Sequence, residues 1–228
     1  MDLGDGIYRV DGVSANVYVV VGDGITVVDT GMPGSGRKIL RFLNGVLRVD
    51  AGDVDSIVIT HQHIDHAGSS LLLRDATGAK TMVHEADADY LSGGRKPLRP
   101  RGAAGAAMAL FSPFFRLRTF DPDVRLKERD TAGGMEVVHL PGHTPGSIAL
   151  YDRGKEIAFT GDIVAMRGEH PSFPPHAFND DEREMRASFG KLLSLAPATL
   201  LPGHGPPISA GTDLSSLLAG DGNKESPP

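Results

Sequence analysis

Apolar residues in this chain fall into two alternating kinds of stretch. Short β-branched or alternating runs end at glycine, proline or aspartate, and longer stretches repeat their apolar positions at helical spacing. Residues 7–10, 16–21 and 25–29 belong to the first kind, with Gly22-Asp23-Gly24 as a hairpin turn between the last two. Residues 35–47 carry apolar side chains at 39, 40, 43, 46 and 47, the spacing of a helix with one buried face. Residues 53–60 predict a buried strand, 67–76 a helix broken by Gly78, 81–84 a strand and 85–91 a helix. Strands recur at 135–140, 147–151, 156–160 and 199–201. Helices are expected at 180–195, where the first turn is acidic, and at 213–218.

Strands therefore cluster early and again after residue 135, with helices between and after them. This suggests an α+β protein built from two strand-helix halves, as one large domain or two small ones. Residues 92–126 depart from the rhythm. Arg95, Lys96, Arg99 and Arg101 open this insertion, and a small, apolar stretch over 102–115 follows, too short and too broken by Pro113 to span a bilayer. It is expected to act as a core helix, a lid, a pocket wall or a contact with a second copy in a homodimer. Residues 220–228 read as a disordered tail.

Composition narrows the classes. The chain has 228 residues, ordinary apolar and charged content, no cysteine and a net charge of −6. The acidic balance argues against a nucleic-acid partner, since that binding is driven by phosphate neutralisation. Without cysteine, disulfides and thiolate ligands are excluded, leaving histidine and carboxylate chemistry. The N-terminus lacks the basic start and apolar run of a signal peptide, so a cytoplasmic protein with no membrane partner and a small-molecule substrate is expected.

The candidate chemistry is concentrated in Thr60-His61-Gln62-His63-Ile64-Asp65-His66, directly after the strand at 53–60. Neutral imidazoles and a carboxylate at these offsets are good ligands for zinc and also fit divalent iron or manganese. Left without a metal, they would be costly to bury. Three more candidates follow strand-like segments and sit beside glycine or proline. These are His143 in Leu-Pro-Gly-His-Thr-Pro-Gly, Asp162 in Phe-Thr-Gly-Asp and His204 in Leu-Leu-Pro-Gly-His-Gly.

The motif H-x-H-x-D-H, followed in order by Pro-Gly-His-Thr-Pro-Gly, Gly-Asp and Pro-Gly-His-Gly, resembles the metallo-β-lactamase-fold superfamily of metallohydrolases, its lactonase and glyoxalase II-like branches in particular. The resemblance runs from Val27-Val28-Asp29-Thr30-Gly31 to His204. It implies one domain spanning residues 1–219, an αββα sandwich of two mixed sheets face to face with helices on both outer sides. It also implies a two-metal site, most readily zinc. His61, His63 and His143 would hold one ion, Asp65, His66 and His204 the other, and Asp162 would bridge them. Asp29 would support the site without ligating. In such a site a bridging hydroxide with a pKa near 7 attacks a carbonyl carbon or a phosphorus, and Asp65 can orient it.

Departures from the family's branches narrow the activity. True β-lactamases of this fold generally lack the bridging aspartate, so Asp162 weighs against antibiotic hydrolysis. Glyoxalase II relatives follow their Gly-Asp with a Gly-Cys-Gly-Arg-like stretch, whereas residues 163–168 here read Ile-Val-Ala-Met-Arg-Gly. The expected activity is hydrolysis of an ester-like bond, a lactone first, with thioester and phosphodiester as further classes. The alternative is a mononuclear iron persulfide dioxygenase using His61, His143 and Asp162. His84, at a strand end, and His170 and His176, in a proline-rich loop, are candidates for the substrate pocket.

Overall fold

The computed structural model describes residues 1–96 and 118–219. Two sheets dominate it. The first has seven strands in the order β1 (Asp2–Gly4), β2 (Ile7–Arg9), β3 (Tyr18–Val21), β4 (Ile25–Val28), β5 (Val54–Ile59), β6 (Lys80–His84) and β7 (Val124–Leu126). Strands β1 to β4 pair antiparallel, and β4 to β7 parallel. The second sheet uses β8 (Thr131–Ala132), β9 (Met135–His139), β10 (Ile148–Asp152), β11 (Ile157–Gly161), β14 (Thr199–Pro202) and β15 (Ile208–Ser209). A small hairpin, β12 (Ala165–Arg167) with β13 (His170–Ser172), lies between β11 and β14 in the chain.

The period of two along each strand sorts side chains between two faces. Tyr18, Val20, Val28 and Val58 of the first sheet pack with Val137, Ile148, Leu150, Phe159 and Leu201 of the second, and this cluster is the filling of the sandwich. Tyr18 and Phe159 meet edge to face across it, with centroids 5.3 Å apart. The alternate residues point outward. Val19, Val27, Ile57 and Ile59 pack against Ile39 of α1 (Gly36–Phe42) and Leu73 of α3 (Ser70–Thr77). Val138, Ala149 and Ala158 pack against Met185, Phe189 and Leu192 of α5 (Glu182–Ser194). Helices thus cover both outer faces. The remaining helices are α2 (Ile64–Ala67), α4 (Glu85–Leu91) and α6 (Ser215–Ala219).

Local signals explain the element ends. Asp181 caps α5, its carboxylate accepting from the Glu184 N–H at 2.9 Å. Gly78 ends α3 in the left-handed region, φ 72°. The helix expected over 35–47 is α-helical only to Phe42. It continues as a π turn from Leu43 to Leu47 and stops at Arg48, φ 58°. The stretch expected as one helix over 67–76 is two, α2 and α3.

The proposed insertion is narrower than 92–126, because Val124–Leu126 forms β7 beside β6 in the first sheet. Its apolar stretch at 102–115 lies outside the described residues, as does the tail at 220–228. No helix among the described residues is long and apolar enough to cross a membrane.

Candidate metal centre

The parallel order β4-β5-β6 brings the carboxyl ends of those strands to one edge of the first sheet. In the second sheet β9 and β11 both run antiparallel to β10, and β14 runs parallel to β11, so their carboxyl ends also share an edge. Each candidate residue sits just beyond one of these ends. Asp29 follows β4, His61 to His66 follow β5, His143 follows β9, Asp162 follows β11 and His204 follows β14. The Ile148 N–H donates to the Thr60 carbonyl at 3.0 Å and joins the two edges. The fold therefore converges segments that lie up to 175 residues apart in the chain, from Asp29 to His204.

Three groups of ligand atoms result, each held within 4.8 Å: His61 with His63 and His143; His61 with His66 and Asp162; and Asp65 with His66 and His204. His61 and His63 face each other at 4.8 Å between ring centroids. That juxtaposition is made in the turn after β5, which ends at Ile59, and not by the strand alternation that their spacing implies. Asp162 lies between the groups. Its Oδ1 is 3.3 Å from His66 Nε2, and its Oδ2 is 3.7 Å from His143 Nε2 and 3.4 Å from His204 Nε2. Asp65 Oδ2 lies 3.3 Å from His204 Nε2.

Hydrogen bonds fix how the rings present themselves. Asp29 is buried and accepts from the Thr60 N–H and, through its other oxygen, from the Thr60 hydroxyl, both at 2.8 Å. With its proton committed to Asp29, the Thr60 oxygen accepts from His61 Nδ1 at 3.1 Å. His66 Nδ1 donates to Asp29 at 2.8 Å, and His143 Nδ1 donates to Asn179 Oδ1 at 2.8 Å. Each of these three rings is thus held by Nδ1, which leaves Nε2 to the cluster. Nε2 of His61, His66 and His143 and Oδ1 of Asp162 are buried and have no hydrogen-bond partner. Buried polar atoms are rarely left so, and a divalent cation would supply the partner all four lack. The donor set fits such an ion.

The charges point the same way. Burial, reinforced by the neighbouring His66, His143 and His63, holds His61 well below the usual imidazole range and so neutral. Burial likewise lowers His63 and His143. Burial alone would raise Asp162, but His66 and His204 hold it well below the carboxylate range. Burial would lower His66, yet Asp162, Asp29 and Asp65 raise it well above. Hydrogen bonds to Asp162 and Asp65 raise His204 to about 9. Ionised carboxylates around imidazoles amount to an electrostatic sink for positive charge.

The closeness of the backbone is enforced by glycine. A β-carbon at Gly203 would lie 2.2 Å from Asp162 Oδ1 and 2.6 Å from His66 Cε1. Gly203→Ala is therefore expected to push the Asp162 carboxylate aside. It should cost about 1–3 kcal/mol of stability, as overpacking does. Chemical denaturation and metal titration of the variant would check it, and unchanged values in both would contradict it.

Other candidates lie outside the three groups. His84 is buried, caps α4 by accepting from the Ala86 N–H, and stacks on His139 with centroids 3.9 Å apart. His170 is exposed at the start of β13. His176 is exposed and paired with Glu182. Three supporting residues were not found from the sequence. Asn179 holds His143, and Thr60 relays between His61 and Asp29. Asp87 is buried and accepts from the Gln62 N–H at 2.8 Å, the Thr144 hydroxyl at 2.7 Å and the Gly146 N–H at 2.8 Å. It ties the loop of His61 and His63 to the loop of His143, and burial pushes its carboxyl up to about 6. Only the Gly-His-Thr-Pro-Gly setting of Thr144 could have hinted at that tie.

The family model described as the metallo-beta-lactamase superfamily matches residues 10–204. The chain belongs to the metallo-beta-lactamase superfamily. Similar members include the probable metallo-hydrolase YflN of Bacillus subtilis, 26% identical over 89% of this chain and 85% of that protein. The hydroxyacylglutathione hydrolase GloC of Haemophilus influenzae is 28% identical over 79% and 82%. The human acyl-coenzyme A thioesterase MBLAC2 is 30% identical over 71% and 64%. Among solved structures, TTHA1623 in a di-iron-bound form is 28% identical with a TM-score of 0.68, covering 90% of this chain and 94% of that one. As a superfamily member with hydrolases among its relatives and a partly buried His/Asp cluster, the chain is a metal-binding protein of hydrolase type.

Proposed function

We propose that this protein is a binuclear metal-dependent hydrolase that cleaves small acyl esters of the thioester or lactone class. The observation that carries the reading is the set of buried, unpartnered Nε2 atoms of His61, His66 and His143 converging with Asp65, Asp162 and His204. His61, His63 and His143 would hold one ion, and Asp65, His66 and His204 the other. Asp162 turns one oxygen toward His66 and the other toward His143 and His204, and so would reach both. When bound, two divalent ions supply a Lewis acid for the substrate carbonyl and a water acidified to near neutral pH.

The chain's own residues do the rest. Asp65, about a third exposed, can accept a hydrogen bond from the attacking water and orient it. Asp29, Thr60 and Asn179 keep the imidazoles in the tautomer that offers Nε2 inward. No serine or cysteine nucleophile is needed. The lactone class follows from the motif resemblance, and the thioester class from the names of two relatives, the hydroxyacylglutathione hydrolase and the acyl-coenzyme A thioesterase.

The test begins with metal identity and stoichiometry by plasma mass spectrometry on protein purified without added metal or chelator. About two divalent ions per chain, with turnover in a panel of thioesters, lactones and phosphodiesters, are expected. About one iron per chain, together with oxygen uptake on a persulfide, would replace this reading with the dioxygenase. Two bound ions and no turnover of any ester-type substrate would overturn the proposed activity.

A further inference from the structure

His204 is held differently from His61, His66 and His143. His61, His66 and His143 are each fixed by a hydrogen bond at Nδ1. Among the described residues no hydrogen bond reaches Nδ1 of His204, and its side chain is 38% exposed. Its Nε2 meets Asp65 and Asp162 on the cluster side, and behind the ring only its backbone anchors it. The carbonyls around it are fully accounted for. Pro202 O accepts from the Tyr18 hydroxyl at 2.7 Å and from Asn16 Nδ2 at 2.8 Å. Gly203 O accepts from the Asn16 N–H at 2.7 Å, and His204 O from the Met166 N–H at 3.0 Å. Gly205 O accepts from Asn16 Nδ2 at 2.7 Å. One residue, Asn16, thus donates to three of four consecutive carbonyls with its backbone N–H and both protons of its amide.

We propose that Asn16 is the positioning residue of His204, and through it of the second metal ion, while leaving the first ion's ligands untouched. The inference rests on the two-ion reading above. Asparagine suits the task because its short side chain carries two N–H donors on one nitrogen and can span Pro202 O and Gly205 O together. Aspartate would set oxygen against oxygen. Asn16 stands just before β3 in the first sheet, and the His204 turn follows β14 in the second, so the clamp also fixes the distance between the sheets at that edge.

The experiment is a zinc titration against a competing chelator, on metal-free wild type, Asn16→Ala, Asn16→Ser, His204→Ala and the double variant N16A/H204A. Wild type is expected to take two ions. Asn16→Ala should keep the tighter equivalent and bind the other about 10- to 100-fold more weakly, the range for residues that orient a ligand from behind. Asn16→Ser, which keeps one short donor, should lie between and also reports if the alanine variant fails to fold. In the His204→Ala background, adding Asn16→Ala should change nothing further. Two ions bound by Asn16→Ala at wild-type affinity would overturn the proposal. So would an equal loss on adding it to His204→Ala, since Asn16 would then act elsewhere. A wild type that takes fewer than two ions would instead refute the two-ion reading itself.

Discussion

Asp65→Asn is expected to abolish nearly all hydrolysis while leaving the fold intact. The substitution keeps the shape of the side chain and one oxygen that can face a metal. It removes the negative charge that lies 3.3 Å from His204 Nε2 and 3.8 Å from His66 Nε2. Asp65 is in the first turn of α2 and about a third exposed, so its loss opens no core cavity. An amide oxygen accepts a weaker hydrogen bond from water and cannot take up its proton, and it holds a divalent ion more weakly than a carboxylate. Positioned acid–base groups contribute about 100- to 10,000-fold, and a fall of that size in kcat/KM, with unchanged circular dichroism, is the expected outcome. A variant within threefold of wild type would remove Asp65 from the mechanism.

Asp29→Ala is expected to damage stability and metal binding together. Asp29 is 2% exposed and serves three donors: the Thr60 N–H, the Thr60 hydroxyl and His66 Nδ1. Its backbone already sits in the left-handed region, φ 61°, where aspartate and asparagine are tolerated better than alanine. Removing the carboxylate leaves a buried imidazole N–H and a buried amide without acceptors. Breaking a buried charged pair costs about 3–5 kcal/mol. Losing the partner of a ligating histidine weakens metal affinity by about 10- to 100-fold. Denaturant unfolding of the metal-free chain reads the first effect and calorimetric titration the second. A stability loss under about 1 kcal/mol in the metal-free form would mean that Asp29 matters to the metal alone, and the cost of the bare buried donors would have been misjudged. The Asp29→Asn variant separates backbone strain from charge, because it keeps the φ preference and one acceptor.

Much of the fold and most of the candidate ligands were legible in the amino-acid sequence, for local physical reasons. Strands such as Val54–Ile59 announce themselves because both faces are buried, and β-branched side chains fill both. His61, His63, Asp65 and His66 are legible because their spacing within one turn is itself the chemical requirement. His143, Asp162 and His204 are legible because each sits beside glycine or proline at a strand end. The strands that the sequence does not announce are short and lie at edges or in the small hairpin: Asp2–Gly4, Val124–Leu126, Thr131–Ala132, Ala165–Arg167, His170–Ser172 and Ile208–Ser209. Two or three residues carry too little alternation to stand out from a loop.

The supporting residues were hidden for a different reason. Asn16, Asp87 and Asn179 look like ordinary turn or helix-start residues in the sequence, since asparagine and aspartate favour such places anyway. What gives each a role is a partner 186 residues away for Asn16, 25 and 57 for Asp87 and 36 for Asn179. A hydrogen bond over such a separation leaves no periodicity and no spacing rule to read. The sequence by itself determined which ligand and core side chains are available, because ligand chemistry and hydrophobic alternation are written into local order. The tertiary structure alone decided how they are held: which nitrogen each imidazole offers, which carboxylate is buried, and which carbonyls fix the turn of His204. Those depend on distances between segments that only the packing of two sheets against each other sets.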